Sequence, residues 1–171
     1  MPGRIAVGCK TIKYGTCGTN GTMGTTLSTV GLIVPDSVIF NLAEPDSEPV
    51  LCEDVSGAVS YLTDGTQIAS FEWEQRDISP ATLAKFISGT TTGEVFTPDV
   101  AVTIKEASVE LTTLVHGGKS FKFEFPRTIL KASIAGEAKK KGTFRMKIKC
   151  DVAVPFDGSG NPLAQYKISR V

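Results

Sequence analysis

Apolar and polar residues alternate through much of the second half of this chain. Over residues 143–154, Phe144, Met146, Ile148, Cys150, Val152 and Val154 take every other position, and Arg145, Lys147, Lys149 and Asp151 lie between them. A period of two is that of a β-strand with one buried face. Residues 66–76 repeat the pattern, with Ala69, Phe71 and Trp73 on one face and Ser70, Glu72 and Glu74 on the other. Phe121, Phe123 and Phe125 alternate with Lys122 and Glu124. Further strands are predicted over 5–13, 37–42, 108–115, 119–125, 127–134 and 166–168, and His116-Gly117-Gly118 reads as a hairpin turn between two of them.

One helix is predicted, at about residues 79–88. Ser79 stands at the N-cap, Pro80 at the first helical position and Gly89 just past the end. Leu83, Phe86 and Ile87 sit at spacings of three and four, so one face docks on a sheet.

The connecting segments are distinct in composition. In GTCGTNGTMGTT, residues 15–26, Gly-Thr recurs every third position without proline, which predicts a flexible loop or arm within about residues 14–31. EPDSEP (44–49), TTTGEVFTPD (90–99) and AGEAKKKG (135–142) read as exposed loops, and residues 156–162 as a turn. The expected fold is therefore mainly β. It is a single domain over residues 1–171, a β-sandwich or partly closed barrel with one short flanking helix.

Charge changes this picture in one respect. The 171 residues carry 18 bases and 18 acids, so no net field draws the chain to nucleic acid or an acidic membrane. The distribution is uneven. Residues 36–77 hold ten acids and one base, and residues 119–149 hold ten bases and two acids. Two such blocks form either surfaces that meet within one monomer or complementary faces for head-to-tail association.

Candidate chemistry is sparse. Cys9, Cys17, Cys52 and Cys150 are scattered without a CxxC and read as free, small apolar residues. His116 is the single histidine, which removes most His-dependent triads and metal sites. GGKS at 117–120 has Thr113 where a phosphate-binding loop needs glycine, and strands are predicted on both sides of it. Glu72 and Glu74 point the same way along a strand, roughly 7 Å apart, which is read as a polar face and not a catalytic pair. Lys139, Lys140 and Lys141 form a basic triplet read as solvated. No catalytic residue, cofactor or metal is expected. The amino terminus lacks a signal-peptide pattern and no run is long enough to cross a membrane, so a cytoplasmic site of synthesis is expected.

The segment GKSFKFEFPRTILKASIAGEAKKKGTFRMKIKCDVAVPFDGSGNPLAQYKI resembles the tail tube (major tail) proteins of long-tailed bacteriophages. The shared features are the Phe125-Pro126 corner, a following strand, a charged loop, the strand over 143–154, the Asp157–Pro162 turn and a short last strand. With ISPATLAKFISGT at the family's helix position, the resemblance spans about residues 55–170. It implies a structural virion protein that is not an enzyme. Such subunits form rings, usually hexameric, stacked head to tail around the tape-measure protein beside other tail proteins, and DNA passes through the lumen. The chain would then sit in the host cytoplasm when made and in the virion tail when assembled.

On that basis, candidate inter-ring contacts are an acidic stretch, Glu44, Asp46, Glu48, Glu53 and Asp54, against Lys139, Lys140 and Lys141. Glu72 and Glu74 are the candidate lumen residues, since a basic bore would hold phosphates at every ring. Arg145, Lys147 and Lys149 would face a neighbour or the outside. The competing readings are another β-rich tail or surface protein (distal tail, terminator or pilus-like) and an enzyme or carbohydrate-binding module, against which stands that Trp73 is the only tryptophan.

Overall fold

A computed structural model describes residues 7–41, 46–51, 58–64, 69–101, 103–136 and 143–171, with side chains for all of these except 7, 46–51 and 58–64. In chain order the strands of the first half are β1 (Val7–Gly15), β2 (Ser28–Thr29), β3 (Ile39–Asn41), β4 (Asp46–Leu51), β5 (Ala58–Asp64) and β6 (Ser70–Gln75). The helix α1 (Pro80–Phe86) follows. Then come β7 (Gly89–Thr92), β8 (Val95–Pro98), β9 (Lys105–Leu114), β10 (Phe121–Ala135), β11 (Arg145–Val152) and β12 (Lys167–Arg170). The fold is mainly β, as the alternation predicts.

Eight strands form one antiparallel sheet in the order β2-β1-β9-β10-β11-β6-β3, with β12 also paired to β10. The sheet does not close into a barrel. Its two ends are instead linked by residues 28–34. Val30 donates its N–H to the Ile12 carbonyl of β1, and four residues on Val34 donates to the Glu74 carbonyl of β6. Leu32, between them, has φ +48°, a left-handed conformation that bulky residues rarely adopt. The Arg76 N–H holds its carbonyl there.

The core fills the inside of this curl. Trp73, Met146, Ile148, Val109, Ile12 and Phe125 are wholly buried. Phe71 stacks on Phe125 at 4.5 Å between ring centroids, and Phe86 of α1 meets both Trp73 and Tyr14, which belong to opposite ends of the sheet. Burying one such side chain contributes roughly 1.5–3 kcal/mol. The inward residues expected from the alternation of residues 69–75 and 146–152, Ala69, Phe71, Trp73, Met146, Ile148, Cys150 and Val152, are buried, but Ser70, expected to face outward, is buried as well. At the end of the latter pattern Phe144 is 48% exposed.

Several local expectations differ from the structure. The Phe125-Pro126 corner is no corner: 121–135 is one strand, and the pairing with β9 shifts register between Phe125 and Thr128. A bulge accommodates a proline, which cannot donate to the ladder. Residues 90–99, expected as a loop, contain the hairpin β7–β8. Residues 46–49 of the expected loop EPDSEP fall in β4, which pairs with β5. The register of β4 on β5 continues that of β3 on β6, one residue out of step. The Gly117-Gly118 turn is as expected, since both residues have positive φ, as a type I′ hairpin turn requires.

The Gly/Thr segment, expected to be a flexible loop, follows a defined path across the sheet. Gly24 is buried and donates its N–H to Ser108 Oγ at 2.9 Å, and that hydroxyl donates to the Pro126 carbonyl at 2.6 Å. A methyl group at Gly24 would come within 2.1 Å of the Thr16 carbonyl oxygen, and one at Gly15 within 2.2 Å of the Thr26 carbonyl oxygen. The glycine repeat thus meets a demand for close backbone approach.

Two outcomes check this description. Ile148→Lys should abolish cooperative folding, because it buries an unpaired charge, whereas Lys149→Gln should stay within about 0.5 kcal/mol of wild type in urea unfolding. Equal melting of both variants would mean the faces are assigned one residue out. In amide exchange, Gly24 should be among the protected residues of its segment and exposed Thr25 among the fastest; fast exchange at both would show that the strap is not docked in solution.

Candidate functional site

Because one face of the sheet is apolar, its charges collect on the other, and there they pair. Lys13 of β1 lies 3.2 Å from Glu110 of β9, which is 3.7 Å from Lys122 of β10. Lys122 reaches Glu124 at 2.8 Å. Arg127 holds Glu106 with two N–H donors at 2.7 and 2.9 Å, and this pairing keeps the Glu106 carboxyl below its usual range. Further across, Lys131 pairs with Asp151, Lys147 with Glu72 at 2.8 Å and Arg145 with Glu74 at 3.1 Å. With Lys149, 3.6 Å from Asp151, these pairs join seven bases and six acids among the described residues.

The register explains this arrangement. β11 runs antiparallel to β6, with Lys147 opposite Glu74 and Lys149 opposite Glu72. The acidic face of residues 66–76 and the basic face of 143–151 are therefore one surface. The expectation that Glu72 and Glu74 line one side while Arg145, Lys147 and Lys149 face another is corrected by this pairing. Where the sheet places like charges opposite each other, a counter-ion bridges them. Asp151 does so for Lys131 and Lys149, and Lys122 for Glu110 and Glu124.

The other sequence candidates are distributed elsewhere. Asp46 and Glu48 fall in β4. Glu44, Glu53, Asp54, Lys139, Lys140 and Lys141 lie outside the described residues. Trp73 is wholly buried, so it offers no platform for a sugar ring. Lys119 and Ser120 of GGKS stand between a turn and β10, without the helix a phosphate loop requires. Among the described residues no group of His, Cys, Asp and Glu could hold a metal. Among the described residues no helix is long and apolar enough to cross a membrane.

Cys150 is buried in the core, with its thiol pushed well up by loss of solvent, and burial pushes Cys9 up to about 11. Cys17 is half-buried, and Cys52 lies outside the described residues. An open groove of about 920 Å³ runs between β1 and residues 29–40, lined by side chains such as Val30, Ile33, Phe40 and Leu111.

The helix brings one feature that the sequence reading missed. Ser79 occupies the N-cap but its side chain makes no cap bond. Asp77 takes that role: its carboxylate accepts the Ser79 N–H at 3.0 Å and the Thr82 hydroxyl at 2.7 Å. The pattern Asp-x-Ser-x-x-Thr carried the signal. At the other end Lys105 donates to the Ala84 carbonyl, one of the last of the helix, and burial there pulls the ammonium pKa down. The helix ends at Phe86, since Ile87 is already extended.

These donors hold the Asp77 carboxyl below its usual value, the Ser79 N–H being the largest cause. A pKa lower in the folded than in the unfolded state stabilises the fold above roughly pH 4, and that contribution is lost as pH falls through the folded value. Asp77→Ala should cost about 1 kcal/mol at neutral pH. Urea unfolding should show the gap to wild type narrowing in acid, and a gap constant down to the acid limit would count against the assignment. No family model matches the chain, and no curated protein matches it.

Proposed function

We propose that this chain is a structural subunit that assembles with copies of itself into stacked rings, the tail tube through which a long-tailed phage delivers DNA. The observation that carries this reading is the β4–β5 ribbon. Among the described residues its strands pair only with each other, while the strands they continue, β3 and β6, belong to the large sheet. A bare two-stranded ribbon is marginal in water, so it gains stability by binding something. Its stretch, residues 44–54, holds five acids and no base, which fits a basic surface on the next ring.

The paired face suits a bore. DNA must pass without being held, and bound phosphates release counterions in proportion to the free bases they meet. Across β10, β11 and β6, four bases (Lys131, Arg145, Lys147 and Lys149) face three acids (Glu72, Glu74 and Asp151), each base within 4 Å of an acid. Glu72 and Glu74 keep their lumen role in this proposal as counter-ions that mask lysine and arginine. The partners are the chain itself, the tape-measure protein and other tail proteins, with DNA as transient cargo. No enzymatic step or cofactor is assigned.

Negative-stain microscopy and sedimentation velocity over a concentration series test the assembly. Rings or tubes should form with concentration, and their growth should slow at high salt, because exposed ion pairs are screened beyond about 8–10 Å at physiological ionic strength. A chain that stays monomeric when concentrated at low salt sinks the reading. Tubes of Glu72→Lys with Glu74→Lys should retain DNA that wild-type tubes release; equal retention would move the bore to another face.

A further inference from the structure

We propose that Val100 and Ile104, on the loop that leads into β9 of one copy, seat in the groove between β1 and residues 29–40 of a neighbouring copy. This rests on the tube reading and adds to it a contact between subunits with both surfaces named.

The loop is held away from the fold by one buried residue, Ser88, which lies just past α1. The Ser88 carbonyl accepts the Asp99 N–H at 3.1 Å. The Ser88 hydroxyl donates to the Thr103 carbonyl at 2.8 Å and accepts the Thr103 N–H at 3.0 Å. Both ends of the loop are thus pinned to a single point, so little ordering remains to be done when a partner arrives. Val100, between the pins, is fully exposed, and Ile104, just past the second, is 68% exposed.

The groove offers the matching surface. Its floor includes Ile33, Phe40 and Leu111, and Leu32 and Leu114 stand at its mouth, 71% and 46% exposed. Its volume of about 920 Å³ has room for both aliphatic side chains. Lys10 lies on the β1 side and Asp36 on the other, and both are exposed. Among the described residues neither has an opposite charge within 4.0 Å, and Asp99 of the loop has none either. Setting Asp99 beside Lys10 and away from Asp36 fixes one orientation of the loop in the groove.

Position decides whose loop fills it. The groove is lined by Leu111, Thr113 and Leu114 at the end of β9, whereas the loop precedes Lys105, the first residue of that strand. Ten residues of strand span roughly 30 Å, so the loop and the groove of one chain lie too far apart to meet. A second copy supplies the occupant. The two surfaces differ from each other, so the contact is head to tail and repeats from copy to copy instead of closing as a two-fold dimer.

The test uses full-length variants concentrated at low salt. Thr29 is exposed and lines the groove. The Thr29→Cys with Val100→Cys variant, treated with a short bismaleimide, should run as a ladder of dimers, trimers and larger species on a denaturing gel, and neither single variant should. In sedimentation velocity, Val100→Asp with Ile104→Asp should weaken association by about tenfold or more while the monomer melts as wild type does, because both side chains are exposed. Lys10→Glu should weaken association, and adding Asp99→Lys should recover part of the loss. If the double-cysteine chain assembles but cross-links no further than the single variants, the groove is not the partner surface and the tube reading stands. A ladder that stops at the dimer overturns the head-to-tail contact. If Val100→Asp with Ile104→Asp lowers monomer melting and assembly together, the loop acts within its own chain and the proposal falls. A wild-type chain that never assembles overturns both this contact and the tube.

Discussion

The organisation of this molecule depends on the two-residue period of an antiparallel sheet with one dry face. Burying Phe71, Trp73, Phe125, Met146 and Ile148 on the inside leaves Glu72, Glu74, Lys122, Lys147 and Lys149 no choice but the other side. Charges gathered on one face must be neutralised locally, and the pairing of β6 with β11 does this. Exposed ion pairs contribute little stability, about 0–1 kcal/mol each. The apolar core holds the sheet, and the ion pairs remove net charge from its outer surface and disfavour a slipped register.

The same sheet has to deal with its edges. Residues 28–34 cross from β1 to β6 and satisfy backbone groups at both, at the cost of a left-handed Leu32. The glycine strap crosses the charged face and is pinned at Ser108, a residue wholly buried although it lies on the outward side of β9. Among the described residues two ribbons, β4–β5 and β7–β8, have no third strand, and the second of them lies against α1.

In the proposed tube, the charge-paired face is the one suited to the bore. A surface whose bases are already paired lets a polyanion slide past.

Ser70 apart, the sequence by itself determined which residues are core and which are surface over 69–75 and 146–152, the position of the helix and the Gly117-Gly118 turn. Each depends on local rules: side-chain period, Pro80 at a helix start, two glycines able to adopt positive φ. It did not determine which strands are neighbours. Alternation is silent on partner order, so the acidic and basic blocks read equally well as one surface or two until β6 was found beside β11. Nor could it reveal that Gly15 and Gly24 permit a tight strap, since repeated glycine has the same local signature in a mobile loop as in a closely packed one. Pro126 and the EPDSEP stretch read as breaks because proline cannot donate to a ladder; the tertiary structure accommodates the first in a bulge and draws residues 46–49 of the second into a two-stranded ribbon.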